Sequence, residues 1–264
     1  MTGFIGAGNM ASAIIKGMVS SGFLKGEDIA VFDIDTEKTR ALSDEYGLKA
    51  FDCAKKIASD CNTVVLSVKP NIFPVLLSEI GETLKENDPL IISIAAGKTL
   101  SFICDLLPYE PRLVRVMPNI NAKVREAVSA FCGSERVSAE DKAEAESFCN
   151  AFGRGIEIEE KLFSIYSAIG GCSPAFCYMF IDSMARAAVK NGMSKKQALE
   201  VAAQAVMGSA KMLLESYSHP WQLVDEVCSP GGTTIEGVAS LQKDGFEQAV
   251  INAVEASYNK DKRL

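Results

Sequence analysis

The chain reads as an α/β protein in two parts, a strand-and-helix domain over residues 1–160 and an all-helical domain over residues 161–264. Three observations predict this. The first residues run strand, glycine-rich turn and amphipathic helix: TGFI, GAGNMA, then Ile14, Ile15, Met18 and Val19 at helical spacing. Two continuous apolar runs, VVLSVKP and LIISIAAG, have the length of strands buried on both faces, as in a parallel sheet covered by helices. From residue 162 onward the pattern is helical almost throughout, beginning with an uncharged stretch, LFSIYSAIGGCSPAFCYMFI.

Thr2–Ile5 is the first strand, and the turn after it carries the glycine spacing of a dinucleotide fingerprint. Gly6 admits the tight turn, Gly8 lets the backbone approach a pyrophosphate, and Ala11 permits close packing of helix on strand. Ala7, Asn9 and Met10 complete a loop at a helix N-terminus, whose dipole favours a phosphate. An ordinary glycine turn would use the same residues. The order strand, turn, helix favours a Rossmann-like domain with NADPH or NADH as cofactor. The second strand, 28–32, leads to Asp33, an acid placed to accept ribose hydroxyls and to favour NAD over NADP. Asp35 with Thr36 reads as the cap of a helix starting near Glu37, and Lys38 and Arg40 lie within reach of a phosphate. Strands follow at 49–51, 64–70 and 90–97. Val68, Lys69 and Pro70, and then Ala96 and Gly97, fall at strand ends, where a doubly wound sheet places its ligands. Lys69 reads as a cofactor contact or as a solvated strand-end lysine. Leu113–Met117 ends in Pro118 and Asn119; a strand at 127–132, a helix at 139–152 and an edge strand at 156–158 close the domain.

Composition narrows the chemistry. A formal charge of −7 without a basic stripe argues against nucleic acid as a partner. Eight cysteines at irregular spacing, with no CxxC, read as reduced thiols. With no secretory pattern at the N-terminus, a cytoplasmic location is expected. His219 is the only histidine, so no histidine metal cluster is expected, and no metal; a Ser-His-Asp triad could use only that residue. Chemistry must come from a cofactor, carboxylates, hydroxyls, lysines or backbone groups.

The uncharged stretch 162–181 is long enough to be weighed as a membrane span. Ser164, Tyr166, Ser167, Gly170, Gly171, Ser173 and Pro174 lower its apolarity, which favours a helix buried on nearly all sides, and no membrane partner is expected. The helix continues to Lys190 and closes at Asn191 and Gly192, and Ser194 with Gln197 reads as a capping box. Leu199, Ala202, Val206, Ala210 and Leu213 form the apolar face of the next helix, and shorter helices follow at 221–227, from Thr233 to about residue 239, and at 246–259. A small helical domain cannot cover the apolar stretch alone, so a homodimer is expected. Between these helices SPGGTT offers backbone N–H groups and threonine hydroxyls at a helix start. It reads as a receptor for a small carboxylate or as a turn with a threonine cap.

GFIGAGNMA from Gly3, SVKP from Ser67, Ala96 with Gly97, RVMPN from Arg115, SPAF from Ser173, His219 with Pro220, SPGGTT from Ser229 and NAVEASY from Asn252 together resemble the pyrroline-5-carboxylate reductase family. The resemblance runs along essentially the whole chain. It implies a dinucleotide-binding domain followed by a helical dimerisation domain, and reduction of 1-pyrroline-5-carboxylate to L-proline by NAD(P)H. Gly6, Ala7, Gly8, Asn9 and Met10 would surround the pyrophosphate, Val68, Lys69 and Pro70 would border the cofactor, and Ala96 and Gly97 would lie near the nicotinamide. Ser229, Gly231, Gly232, Thr233 and Thr234 would hold the substrate, Thr234 as the catalytic side chain, with Met117 and Asn119 walling the pocket. Some members assemble dimers into decamers, so the resemblance implies a homodimer or a decamer of dimers. The chain departs from the family at Ile120 and Asn121, at Arg125 and Ala127 where glycines are common, at Ser173 and Phe176, and at Ile34, where many members carry an arginine suited to a 2′-phosphate. Rival readings are a related cyclic-imine reductase, a hydroxy-acid dehydrogenase and a non-enzymatic NAD(P)-binding regulator.

Overall fold

The computed structural model describes residues 1–263; Leu264, the last residue of the expected helical domain, lies outside the described residues. Among the described residues, eight strands, β1 (Thr2–Ile5), β2 (Ile29–Phe32), β3 (Lys49–Ala50), β4 (Thr63–Leu66), β5 (Leu90–Ser93), β6 (Leu113–Met117), β7 (Ala127–Gly133) and β8 (Gly153–Glu157), form one sheet in the order β3-β2-β1-β4-β5-β6-β7-β8. Pairing is parallel except between β6 and β7. Chain order reverses between β1 and β4, which opens a crevice beyond the C-terminal ends of those strands. The helices of this part are α1 (Asn9–Ser20), α2 (Thr36–Tyr46), α3 (Ala54–Asp60), α4 (Phe73–Asn87), α5 (Leu100–Cys104) and α6 (Ala139–Asn150).

The continuous apolar runs follow from this layering. Successive strand residues point to opposite faces, and both faces are covered. Phe4, Val65 and Ile92 join Ile14, Met18, Phe148 and Phe152 in one core. Ile5, Val64, Leu66 and Ile91 join Ile57, Phe73, Leu77 and Ile80 in the other. The runs expected to reach residues 70 and 97 leave the sheet at Leu66 and Ser93, because the chain turns out there to build the crevice loops. The edge strand expected at 156–158 lies at Gly153–Glu157. A full capping box, unnoticed in the sequence, starts α6: Ser138 accepts from the Asp141 N–H while Asp141 accepts from the Ser138 N–H. Ser194, expected to form one with Gln197, does cap its helix, but the Gln197 side chain takes the Ser194 hydroxyl instead of the backbone.

The stretch 162–181 is not one helix. A single turn, α7 (Phe163–Tyr166), passes into a π turn at Ser167–Gly171, and α8 (Ser173–Lys190) begins after it. Nor is it buried on nearly all sides within one chain: Ile169, Tyr178 and Met179 are 56%, 60% and 72% exposed. By length and composition alone Glu160–Lys190 could cross a membrane.

The chain divides into two compact units: residues 1–171 with the C-terminal residues from Lys260, and Cys172–Asn259. The division and the boundary expected after residue 160 bracket the π turn. The second unit holds α8, α9 (Lys195–Ser216), α10 (Pro220–Val227), α11 (Thr233–Lys243) and most of α12 (Phe246–Asp261). α8 packs on α9, and what these helices bury is small: Pro174, Ala185, Ala198 and Ala202. Asp182 of α8 accepts from Lys195 of α9, tying the two helices, and from Arg186 of its own helix; both hold its carboxyl below the usual carboxylate range.

Candidate active site

The glycine turn closes β1 onto its neighbours. Gly6 donates to the Phe32 carbonyl at 2.7 Å and sits at φ 108°, and a Cβ there would stand 2.7 Å from the Ser67 carbonyl oxygen. Only glycine fits. Gly8 is different: φ is −73° and a Cβ would meet nothing within 4 Å. Nothing in the protein demands a glycine at Gly8, which leaves the space above the α1 N-terminus as its reason. No side chain caps α1, so its first N–H groups are available to an anion. The residues fit a dinucleotide pyrophosphate.

Asp33 stands at the end of β2 as expected, with a second role the sequence did not show. One oxygen accepts the Ala7 N–H at 2.7 Å and the other the Asp35 N–H at 2.9 Å. It therefore braces the glycine turn, and each oxygen keeps a lone pair for a ribose hydroxyl. Asp35 is the α2 cap, accepting from Glu37. Ile34 is 93% exposed. Lys38 and Arg40 are engaged with Asp35 and Glu37 in exposed ion pairs. Such pairs contribute roughly 0–1 kcal/mol, so either cation could turn to a 2′-phosphate at little cost. After β4, the Ser67 hydroxyl reaches the carbonyls of Ile5 and Gly6 at 2.9 and 2.7 Å and joins the two loops. Val68 packs on the core, while Lys69 is exposed.

Beyond β5 and β6 a cavity of about 760 Å³ is bordered by Pro70, Ala96, Gly97, Met117, Phe163 and Ser167. Arg115 forms its floor, 8% exposed, paired to Glu160 at 3.0 Å and lying 4.2 Å over the Phe163 ring. Glu160 also accepts the Leu100 N–H. Met117 borders this cavity. Asn119 needs a correction: it is 5% exposed, its amide donates to the Gly170 carbonyl at 2.8 Å, and its oxygen accepts from the Asn121 N–H. It holds the wall from behind instead of facing a ligand. Tyr166 helps, its hydroxyl reaching the Met117 and Val128 carbonyls; burial pushes its pKa up to about 12, so it remains a donor.

The remaining expected residues, Ser229, Gly231, Gly232, Thr233 and Thr234, lie in the helical unit. Gly231 takes φ 67°, and the Gly232 N–H closes the loop on the Ser229 carbonyl at 3.0 Å. Gly232 is thus the N-cap of α11 and makes no side-chain cap, leaving the N–H groups of Thr233, Thr234 and the next residue at an uncapped helix start. Thr234 also borders an apolar groove with Leu213, Leu223 and Val238. The threonine cap of the alternative reading is not formed. His219 caps α10, its Nδ1 accepting from the Trp221 N–H at 3.3 Å. Burial raises the thiols of Cys61, Cys132 and Cys149, to about 11, 12 and 12, which makes them poor nucleophiles. Sequence reasoning missed Ser67, Tyr166, Ser167 and the Arg115–Glu160 pair. Only Ser67 and Arg115 had a signal, as parts of SVKP and RVMPN.

The family profile described as pyrroline-5-carboxylate reductase dimerisation matches residues 160–264, and one described as NADP oxidoreductase, coenzyme F420-dependent, matches residues 1–97. The pyrroline-5-carboxylate reductase of Escherichia coli (strain K12) is 41% identical over 262 residues, covering 99% of this chain and 97% of that protein. A solved pyrroline-5-carboxylate reductase from Coxiella burnetii superposes with a TM-score of 0.94 at 30% identity, covering 99% of this chain and 97% of that one. The Plasmodium falciparum pyrroline carboxylate reductase, solved with NADP bound, superposes at 0.85 with 33% identity over 99% and 97% of the two chains. A prephenate dehydrogenase from A. aeolicus, at 14% identity and a TM-score of 0.54, shares the fold alone.

Proposed function

The chain belongs to the pyrroline-5-carboxylate reductase family, and on that premise we propose how its residues divide the reaction. It is an NAD(P)H-dependent oxidoreductase that reduces 1-pyrroline-5-carboxylate to proline, and it forms a homodimer through its C-terminal domain. The observation that carries the assignment is the 41% identity sustained over 99% of the chain.

The first-turn N–H groups of α1 hold the pyrophosphate, with Gly8 leaving room and Asp33 keeping the turn in place. Pro70, Ala96, Gly97 and Met117 wall the far end of the crevice. Reduced nicotinamide supplies the hydride. The substrate carboxylate is received by the N–H groups and hydroxyls of the 229–234 loop, and the Thr234 hydroxyl bonds the ring nitrogen or the carboxylate. Because the iminium carbon is already electrophilic and its nitrogen already protonated, the protein has to orient two rings and exclude water. No general base is needed, which matches a chain whose one histidine is a helix cap. A hydroxy-acid dehydrogenase would need such a base, and residues 162–189 contain no lysine or histidine.

A cytoplasmic location is proposed from the eight free cysteines. Assembly of dimers into a decamer is proposed from the family resemblance alone, with light scattering as its test.

The decisive experiment replaces Thr234 by valine. The expected loss in kcat/KM for the imine is tenfold to a few hundredfold, about 1–3 kcal/mol, with cofactor affinity unchanged. Normal turnover would remove Thr234 from the site. Failure of the unaltered protein to reduce the imine with either cofactor would overturn the function itself.

A further inference from the structure

One buried polar side chain in the cavity beyond β5 is unexplained by the division of labour above. Ser167 is only 8% exposed, yet its hydroxyl makes no hydrogen bond with the described residues. A helical serine can usually bond the carbonyl four residues back. Ser183 does so to Met179 at 2.8 Å and Ser209 to Ala205 at 2.9 Å. Ser167 does not, and it begins the π turn, a local widening of the helix found often at functional sites. Its hydroxyl is not sealed in the interior, since Ser167 lines the cavity together with Ala96, Gly97 and Met117. The turn is fixed from two sides. Asn119 takes the Gly170 carbonyl, and Tyr166, immediately before Ser167, is hydrogen-bonded to β6 and β7.

The chemistry of the walls selects the partner. Four cations line this cavity: Arg115 is paired with Glu160, Lys161 with Glu159, Lys98 lies over the Phe102 ring at 4.2 Å, and Lys262 is engaged as well. The one buried cation on this wall, Arg115, is already paired to Glu160, so a carboxylate would find no unpaired buried charge here. A neutral group that both donates and accepts would gain more, and a hydroxyl can serve either end of it. Ala96 and Gly97 stand past the C-terminal end of β5, where a dinucleotide whose pyrophosphate rests on α1 brings its nicotinamide. We propose that Ser167, presented by the π turn, hydrogen-bonds the carboxamide of the nicotinamide and so fixes which face of the ring is offered to the imine. The proposal rests on the cofactor reading and adds to it a residue that specifies orientation.

Titration calorimetry with two probes tests it: NADP⁺, and 2′-phospho-ADP-ribose, which lacks the nicotinamide. Ser167→Ala is expected to weaken NADP⁺ binding three- to tenfold while leaving the fragment's affinity unchanged, and Ser167→Thr, which keeps the hydroxyl, is expected to restore binding of NADP⁺. The same Ala variant should lose about tenfold in kcat/KM for NADPH. Equal losses on both probes, or no loss on either, would overturn the assignment of Ser167. If the Ala variant does not fold, Ser167→Cys, close in size and a weak donor, should show the same selective loss, and its absence would count equally against the proposal. Failure of the unaltered protein to bind either probe would instead overturn the cofactor reading.

Discussion

The two units of this chain use apolar residues for opposite ends. In the sheet unit the large side chains vanish: Phe4, Ile14, Phe73, Leu77, Phe148 and Phe152 are all fully buried or nearly so. In the helical unit the buried residues are Pro174, Ala185, Ala198 and Ala202, while Met179, Met207, Met212 and Leu214 are more than half exposed. The first unit closes on itself, so its site can be built from tight fits such as Gly6 against Ser67. The second presents its large residues outward, as a surface for the partner chain. An exposed patch of this kind marks an interface.

The sharpest way to break the contrast is Gly6→Val. It forces a β-branched residue to φ 108° against the Ser67 carbonyl, and should cost at least about 3 kcal/mol of stability, measured by denaturant unfolding, with cofactor binding lost. Gly8→Ala sharpens it: stability should change by less than about 1 kcal/mol while NADPH affinity falls tenfold or more. In the helical unit Met207→Glu should break the dimer, weakening it by about a hundredfold in analytical ultracentrifugation, because a carboxylate would have to be desolvated in the interface. Unchanged dimers would remove α9 from the contact. Asn119→Ala leaves the Gly170 carbonyl without its donor and should lower stability by about 1–3 kcal/mol, with Asn119→Asp no better. The smallest effect has the opposite sign. Arg125, where the family often has glycine, takes φ 62°, so Arg125→Gly should raise stability by roughly 0.5–1 kcal/mol.

What the sequence revealed follows the same divide. The strands of the sheet unit were legible because burial on both faces writes an unbroken apolar run, and Gly6 and Asp33 because chain geometry demands them at fixed distances from β1 and β2. The strand ends were not, since Val68 and Ala95 remain apolar after the chain has left the sheet. The reversal of β7 left no mark, because parallel and antiparallel pairing bury the same side chains. Asn119 was placed at the right strand end but given the wrong role, since a side-chain amide facing a ligand and one tied to Gly170 look alike as letters. The π turn was invisible for the same reason, as its residues would also suit a regular helix. Exposure of residues 162–181 in the single chain was hidden by composition, which records how apolar a surface is but not which molecule covers it.

Apolar residues left uncovered in the single chain also tie folding to concentration. If the second half of the chain finishes its burial only by meeting a copy of itself, completion of this half is second order in protein. Dilution then acts as a denaturant for the helical unit, leaving the sheet unit folded and able to take up the cofactor. A newly made chain would acquire a nucleotide site at once and its full helical half only as fast as chains encounter one another, so the midpoint of thermal unfolding for that half should climb with the logarithm of protein concentration.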